Sequence, residues 1–259
     1  MEINLVVLNV GNSRLAVAPF RAGELGEVAR VSLREPEKWA EAIGQAWKLI
    51  QGRENAAVVG ASVNPDLDDA VEQTVLEVAN RHVVWVGEDL ELPIKVLTGN
   101  PEETGVDRVL NVAAAYEQIG KACVVVDAGT AITVDVCNDA GEFLGGAIAP
   151  GVRMQLDALH EKTAKLPRVD PFEPPNVPFG KNTREAILAG VYHGVRGMVK
   201  ELVENYATEL GNWPDLIATG GDAEMLFKGW ELAHAIAPDL TLYGVALAYV
   251  NHNTKHDAL

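Results

Sequence analysis

A short pattern that occurs twice in the 259 residues constrains the fold more than any other feature of the chain. Val7-Leu8-Asn9-Val10-Gly11-Asn12-Ser13 resembles Val126-Asp127-Ala128-Gly129-Thr130-Ala131 when Asn9 is laid on Asp127. Each copy reads as an apolar run, an amide or acid, a spacer, a glycine and small polar residues. A second β-like run follows in both, Leu15 to Ala18 and Ile132 to Val136. That is how a β-hairpin with a glycine at its turn is written. The same hairpin at the start of each half predicts two related domains, 1–118 and 119–259.

The rest of the chain alternates strand and helix, which indicates an α/β fold. In the first half a helix near Pro36 to Leu49 precedes a buried strand, Ala56 to Ser62. Next come a helix near Leu67 to Ala79, a strand His82 to Gly87, and a helix Gly105 to Ile119 closed by Gly120. The second half opens with three β-like runs, 122–127, 131–137 and 142–149. A helix follows Pro150-Gly151, and a long one covers Arg184 to about Leu210. Leu216 to Ala218 is a short strand before Gly220-Gly221, and Leu240 to Asn251 is a terminal helix. Between Leu166 and Lys181 lie five of the chain's thirteen prolines. With no composition shift around it, that segment reads as a stiff functional loop within a domain rather than a linker.

Charge narrows the partners. Lys and Arg number 21 against 37 Asp and Glu, a formal net charge of −16. Such a chain repels polyanions, and no run of basic residues makes a local exception, so non-specific nucleic-acid and anionic-membrane binding are excluded. An anionic substrate would need backbone amides, a cation or a few placed basic groups. No apolar run approaches the ~20 residues that span a bilayer. Two cysteines, Cys123 and Cys137, make no disulfide framework. Without a secretory signature they are expected to be reduced thiols facing the core of their sheet, in a cytoplasmic protein. The six histidines form no metal site by spacing; His252 and His256 lie in a polar tail expected to fray.

Neither common nucleotide fingerprint, G-x-x-x-x-G-K-[ST] or G-x-G-x-x-G, is present. The two hairpins offer another way to hold phosphates. Turns at Gly11 and Gly129 expose backbone amides that bind anions, and Asn12, Ser13 and Thr130 could add side-chain donors. Ordinary hairpins would read the same. Thr104-x-x-Asp107 has a capping-box pattern, so Asp107 could satisfy donors in the first turn of its helix. It could equally be a general base, with Arg108 anchoring an anionic substrate. Asp127 could be a turn-forming residue or a ligand for a hard cation beside phosphates. Thr183 reads as a helix N-cap before Arg184. Gly220-Gly221 is a strand-to-helix turn, or a point where a nucleotide base approaches the backbone.

Seven pieces stand in order along nearly the whole chain: Val10-Gly11-Asn12-Ser13, Gly105-Val106-Asp107-Arg108, Asp127 to Asp135, Gly145 to Gly151, Leu166-Pro167, Gly180-Lys181-Asn182-Thr183 and Thr219 to Ala223. The ordered set resembles that of the type III pantothenate kinases, a family of the acetate/sugar kinase, heat-shock chaperone and actin superfamily. That resemblance implies two ribonuclease-H-like domains with the active site in the cleft between them. It implies ATP-dependent phosphorylation of pantothenate, the first step of coenzyme A biosynthesis, in a cytoplasmic homodimer that needs Mg²⁺ and a monovalent cation, K⁺ or NH₄⁺. By motif, the first phosphate loop runs through Asn9, Val10, Gly11, Asn12, Ser13, Arg14, Leu15 and Ala16, and Thr130 contacts ATP from the second. Asp127 would hold the monovalent cation and Asp107 would accept the proton. Gly105, Val106, Asp107, Arg108 and Thr183 would line the pantothenate site.

The chain departs from the family in two places. The first phosphate loop usually begins with Asp, and here it begins with Asn9, an amide without the charge a hard cation prefers. A pantothenate-contacting Tyr usually precedes the Gly-x-Asp-Arg motif, and the corresponding residue here is Thr98. Two rivals to the kinase therefore remain at this point: a catalytically weak regulatory or binding relative, and another phosphotransferase or phosphohydrolase on the same fold.

Overall fold

Both expected hairpins form. In the computed structural model, which describes residues 3–170, 174–175 and 179–257, β1 (Asn4–Val10) runs antiparallel to β2 (Arg14–Arg21). Likewise β7 (Cys123–Ala128) runs antiparallel to β8 (Ala131–Cys137). Each hairpin is the seed of a sheet. In the first, β3 (Glu24–Leu25) and β4 (Ala29–Ser32) add antiparallel to β2, while β5 (Ala56–Ser62) and β6 (Val83–Trp85) extend the β1 side in parallel. In the second, β9 (Phe143–Pro150) adds antiparallel to β8, while β10 (Asp215–Thr219) and β11 (Ala235–Ile236) extend the β7 side in parallel. A three-stranded meander continued by two parallel strands is thus built twice. The ribonuclease-H-like plan expected of each half is this strand order. The sequence reading missed β3, β4 and β11, which at two to four residues are too short to show a period.

Helices make the crossovers that parallel strands require. They are α1 (Trp39–Lys48) before β5, α2 (Asp68–Ala79) before β6, α4 (Val152–Glu161) and α5 (Thr183–Leu210) before β10, and α6 (Ala223–Phe227) before β11. Between the two sheets in the sequence lies α3 (Val106–Ile119), ended by Gly120 at φ +70°; the last element is α7 (Leu240–Asp257). Strand alternation sorts β1 onto two cores. Val6, Leu8 and Val10 face Trp39, Ile43 and Trp47 of α1 and Val71 and Val75 of α2. Leu5 and Val7 face the opposite side, with Leu110 of α3 and Leu242, Val245 and Ala246 of α7. In the second sheet, Val124, Val126, Ile132 and Val134 pack with Leu156 of α4 and Val195, Val199 and Val203 of α5.

The chain divides into two compact units. The first takes in residues up to Glu117 together with those from Asp239 onward, and the second is Gln118–Pro238. The expected boundary at 118/119 left α7 in the second half, whereas the units change after Glu117 and α7 belongs with the first. The reason is packing: the apolar side of α7 completes a face of the first sheet. Contact between α7 and α3 is close. A Cβ at Gly244 would lie 2.4 Å from the Leu110 carbonyl oxygen, and beside it Thr241 Oγ1 donates to Oδ1 of the buried Asn111 at 2.7 Å. Nor does the helix end at Asn251; it continues through His252 to Asp257. The loop expected to be stiff between Leu166 and Lys181 falls partly outside the described residues. Among those described, no helix is long and apolar enough to cross a membrane.

Candidate active site

Pairing of Asn9 with Ala16 and Val10 with Leu15 leaves Gly11-Asn12-Ser13 as the turn of the first hairpin. The Gly11 N–H donates to the Arg14 carbonyl and the Leu33 N–H to the Ser13 carbonyl, both at 3.1 Å, so the turn is tied at each end. Asn12, Ser13 and Arg14 are exposed at its tip. Asn9 is the exception to this satisfied backbone. Its Oδ1 is buried and has no hydrogen-bond partner. A buried acceptor left in that state costs about 1–3 kcal/mol, which a donor, a water or a cation would relieve.

Elsewhere in the first unit, Gly105-Val106-Asp107-Arg108 forms the start of α3. Asp107 is half-buried, and its Oδ1 accepts the Arg108 N–H at 2.8 Å. Burial pushes its carboxyl above the ordinary range, opposed by the Arg108 N–H and the Arg108 charge. The capping box read from Thr104-x-x-Asp107 does not form as expected. Thr104 lies two residues before the helix, and its hydroxyl is 2.9 Å from that of Thr98. This hydroxyl pair ties the ends of the loop 98–104, and the Thr104 N–H donates to the Pro101 carbonyl at 3.1 Å. A link between hydroxyls six residues apart has no periodic signal, so nothing in the sequence pointed to it.

The second unit carries the other turn. Ala128 pairs with Ile132, and the Gly129 N–H donates to the Ala131 carbonyl at 2.9 Å. Asp127 is half-buried near the end of β7, opposite Thr219 of β10. Past Thr219 the chain turns at Gly220, with φ +92°, where a Cβ would lie 2.4 Å from Asp127 Oδ1 and 2.5 Å from the Ala128 carbonyl oxygen. Two demands therefore fix glycine at 220: left-handed backbone and close approach. The Asp222 N–H completes this junction by donating to the Ala128 carbonyl at 2.9 Å. Gly129 is different. It does not take left-handed backbone, and a Cβ there would make only ordinary contacts at 3.7 and 3.9 Å. The fold itself does not require glycine at 129, and without a side chain there the backbone beside exposed Thr130 is left uncovered.

Thr183 is the first residue of α5, and the expectation that it caps the helix is corrected. The N-cap is Asn182, whose Oδ1 accepts the Glu185 N–H at 2.9 Å while Glu185 Oε2 accepts the Lys181 N–H at 2.8 Å. Asn-x-x-Glu forms a reciprocal box that Thr183, with Ala186 at the third position, cannot match. Glu185 was the sequence signal that went unread. Thr183 is left exposed in the first turn. The candidate residues thus fall into two groups: Asn9 to Ala16, Thr98 and Gly105 to Arg108 in the first unit, and Asp127, Thr130 and Thr183 in the second. Among the described residues no three His, Cys, Asp or Glu side chains gather as a metal cage.

A meander continued by two parallel strands, made twice, defines a duplicated α/β protein with a glycine-turned hairpin at the start of each sheet. The comparisons are narrower. Residues 5–205 match the type III pantothenate kinase family. A type III pantothenate kinase from Dehalococcoides mccartyi is 34% identical over 254 residues, covering 96% of this chain and 98% of that one. One from Persephonella marina is 38% identical over 206 residues, covering 78% and 80%. Among solved structures, a Baf family protein from Campylobacter jejuni shares the fold with a TM-score of 0.62 at 22% identity, over 96% of this chain and 99% of that one. The chain belongs to the type III pantothenate kinase family.

Proposed function

We propose that this chain transfers the γ-phosphoryl group of ATP to the hydroxyl of pantothenate, giving 4'-phosphopantothenate, the first step towards coenzyme A. The observation that carries the proposal is Asp107 on the first turn of α3, a half-buried carboxylate with a raised pKa beside Arg108, within the Gly-x-Asp-Arg motif of its family. Phosphoryl transfer asks little covalent chemistry of a protein; it asks for positioning and charge neutralisation. Asp107 accepts the hydroxyl proton as the bond to phosphorus forms. Arg108 anchors the pantothenate carboxylate, and the positive end of the α3 dipole favours the same anion. Gly105, Val106 and Thr98 line the substrate site on the first unit, Thr98 acting through Thr104, and Thr183 is by its motif a further pantothenate contact.

The backbone of Asn9 to Ala16 holds ATP phosphates on the first hairpin, and Thr130 contacts ATP on the second. Asp127 is the ligand of a monovalent cation, K⁺ or NH₄⁺. Mg²⁺ is held by the otherwise unpartnered Asn9 Oδ1, directly or through a water, and when bound it neutralises phosphate charge. The protein works in the cytoplasm as a homodimer. The test is a coupled ADP-release assay with and without pantothenate. Release that depends on pantothenate supports the kinase; release without it would mark a hydrolase, and none under any condition a binding protein.

A further inference from the structure

Only two cysteines occur in the chain, 14 positions apart, and the fold brings them face to face. Cys123 is the first residue of β7 and Cys137 the last of β8, and the strand register pairs them directly. Their sulfurs are 3.4 Å apart and both side chains are wholly buried. Directly opposed residues of an antiparallel pair have Cα atoms about 4.5–5.5 Å apart, inside the range of about 4.4–6.8 Å that a disulfide bridges. The backbone also has slack at this point: the β8–β9 register shifts between Val136 and Cys137, and such bulges let a strand twist locally.

We propose that Cys123 and Cys137 are a latent disulfide, joined across β7 and β8 within one chain when a hydroperoxide reaches them. The Cys137 sulfur attacks the O–O bond, giving a sulfenic acid, and its proton leaves with the displaced hydroxide as water. The Cys123 sulfur then displaces the hydroxyl, which leaves with the Cys123 proton as a second water. Two S–H bonds and one O–O bond break, one S–S bond forms, and the peroxide takes up the two electrons. Either thiol can donate to the other across the 3.4 Å contact, and the Cys137 S–H also reaches the Cys123 carbonyl at 3.8 Å, so whichever sulfur is oxidised first has its partner in contact. A peroxide is hardly larger than a water, so it suits a site closed to bulkier oxidants. The partner thiol, already in contact, intercepts the sulfenic acid before further oxidation.

The test uses the whole folded protein and hydrogen peroxide, without denaturant. After quenching, the protein is unfolded, alkylated and weighed intact. Expected are the loss of both alkylation sites, a mass lower by two hydrogens, monomers on a non-reducing gel, and full recovery of both thiols with dithiothreitol. The single variants Cys123→Ser and Cys137→Ser give no such product; the remaining sulfur gains oxygen or stays a thiol. Two persistent thiols in the wild type, added oxygen without loss of two hydrogens, or disulfide-linked dimers would overturn the proposal. So would a disulfide that forms only after urea is added, because the folded contact would then not be its cause.

Discussion

Asp107 carries two jobs, and they can be separated. Its Oδ1 accepts the Arg108 N–H, a bond the oxygen of an amide can also make, whereas only a carboxylate takes up a proton near neutrality. Asp107→Asn should therefore lower turnover by roughly 10²–10⁴, the usual contribution of a positioned base, with the fold intact. Because burial raises the Asp107 pKa, the base is lost as pH falls through a value above the ordinary carboxylate range, and the acid limb of the rate profile should lie there. The same shift penalises the ionised form in the folded state. The stability that goes with protonated Asp107 is full below the unfolded pKa and is lost as pH rises through the folded one. At neutral pH the Asn variant should thus unfold at a denaturant concentration no lower than the wild type. Near-normal turnover in a destabilised variant would leave Asp107 as a cap alone. At Asn9 charge can be changed at constant shape. Asn9→Asp should lower the Mg²⁺ concentration for half-maximal ADP formation, since a carboxylate holds a hard cation more firmly than an amide; coincident titration curves would refute the assignment. Thr98→Val removes one hydroxyl of the pair that ties loop 98–104. The expected result is a higher KM for pantothenate with kcat little changed, restored by Thr98→Ser, and a kcat loss at constant KM would count against it.

Elements held by local pattern were legible, and those held by distant contacts were not. The two hairpins and β5 show themselves because alternation, glycine turns and short buried runs lie within a few neighbouring residues. The N-cap of α5 was misplaced by one residue because Asn182 and Thr183 are both good caps, and only Glu185 decides between them. The Thr98–Thr104 pair was invisible because polar residues in a loop carry no period. At this scale two helical glycines give opposite expectations. At Gly244 in α7 a Cβ would strike the Leu110 carbonyl oxygen at 2.4 Å, whereas at Gly190 in α5 it would meet nothing within 4 Å. Gly244→Ala should destabilise by about 1–3 kcal/mol, as overpacking does. Gly190→Ala should stabilise by roughly 0.5–1 kcal/mol through helix propensity alone. Urea unfolding of both variants checks the pair, and equal signs would show that α7 does not cross α3 as described.

For the molecule as a whole, the telling element is α7, which is last in sequence but structural in the first unit. Leu242, Val245, Ala246 and Ala248 cover a face made by Leu5, Val7, Ala18 and Val59. A chain ended at Pro238 should lose amide-exchange protection in β1 and β5 while β7, β8 and β10 keep theirs; protected β1 amides in that truncation would argue against the division into units. Nothing local in residues 240–257 announced which sheet they join, which is why the sequence reading left them with their neighbours. Synthesis on the ribosome meets the same ordering. Domains of most proteins are completed from the N-terminus as the chain emerges. Here the second unit, continuous from Gln118 to Pro238, is fully delivered while the first still lacks a helix. The unit begun first is finished last. Through that interval the Leu5, Val7 and Val59 face lacks the cover of Leu242, Val245 and Ala246, leaving Leu110 of α3 to shield it alone among the helices.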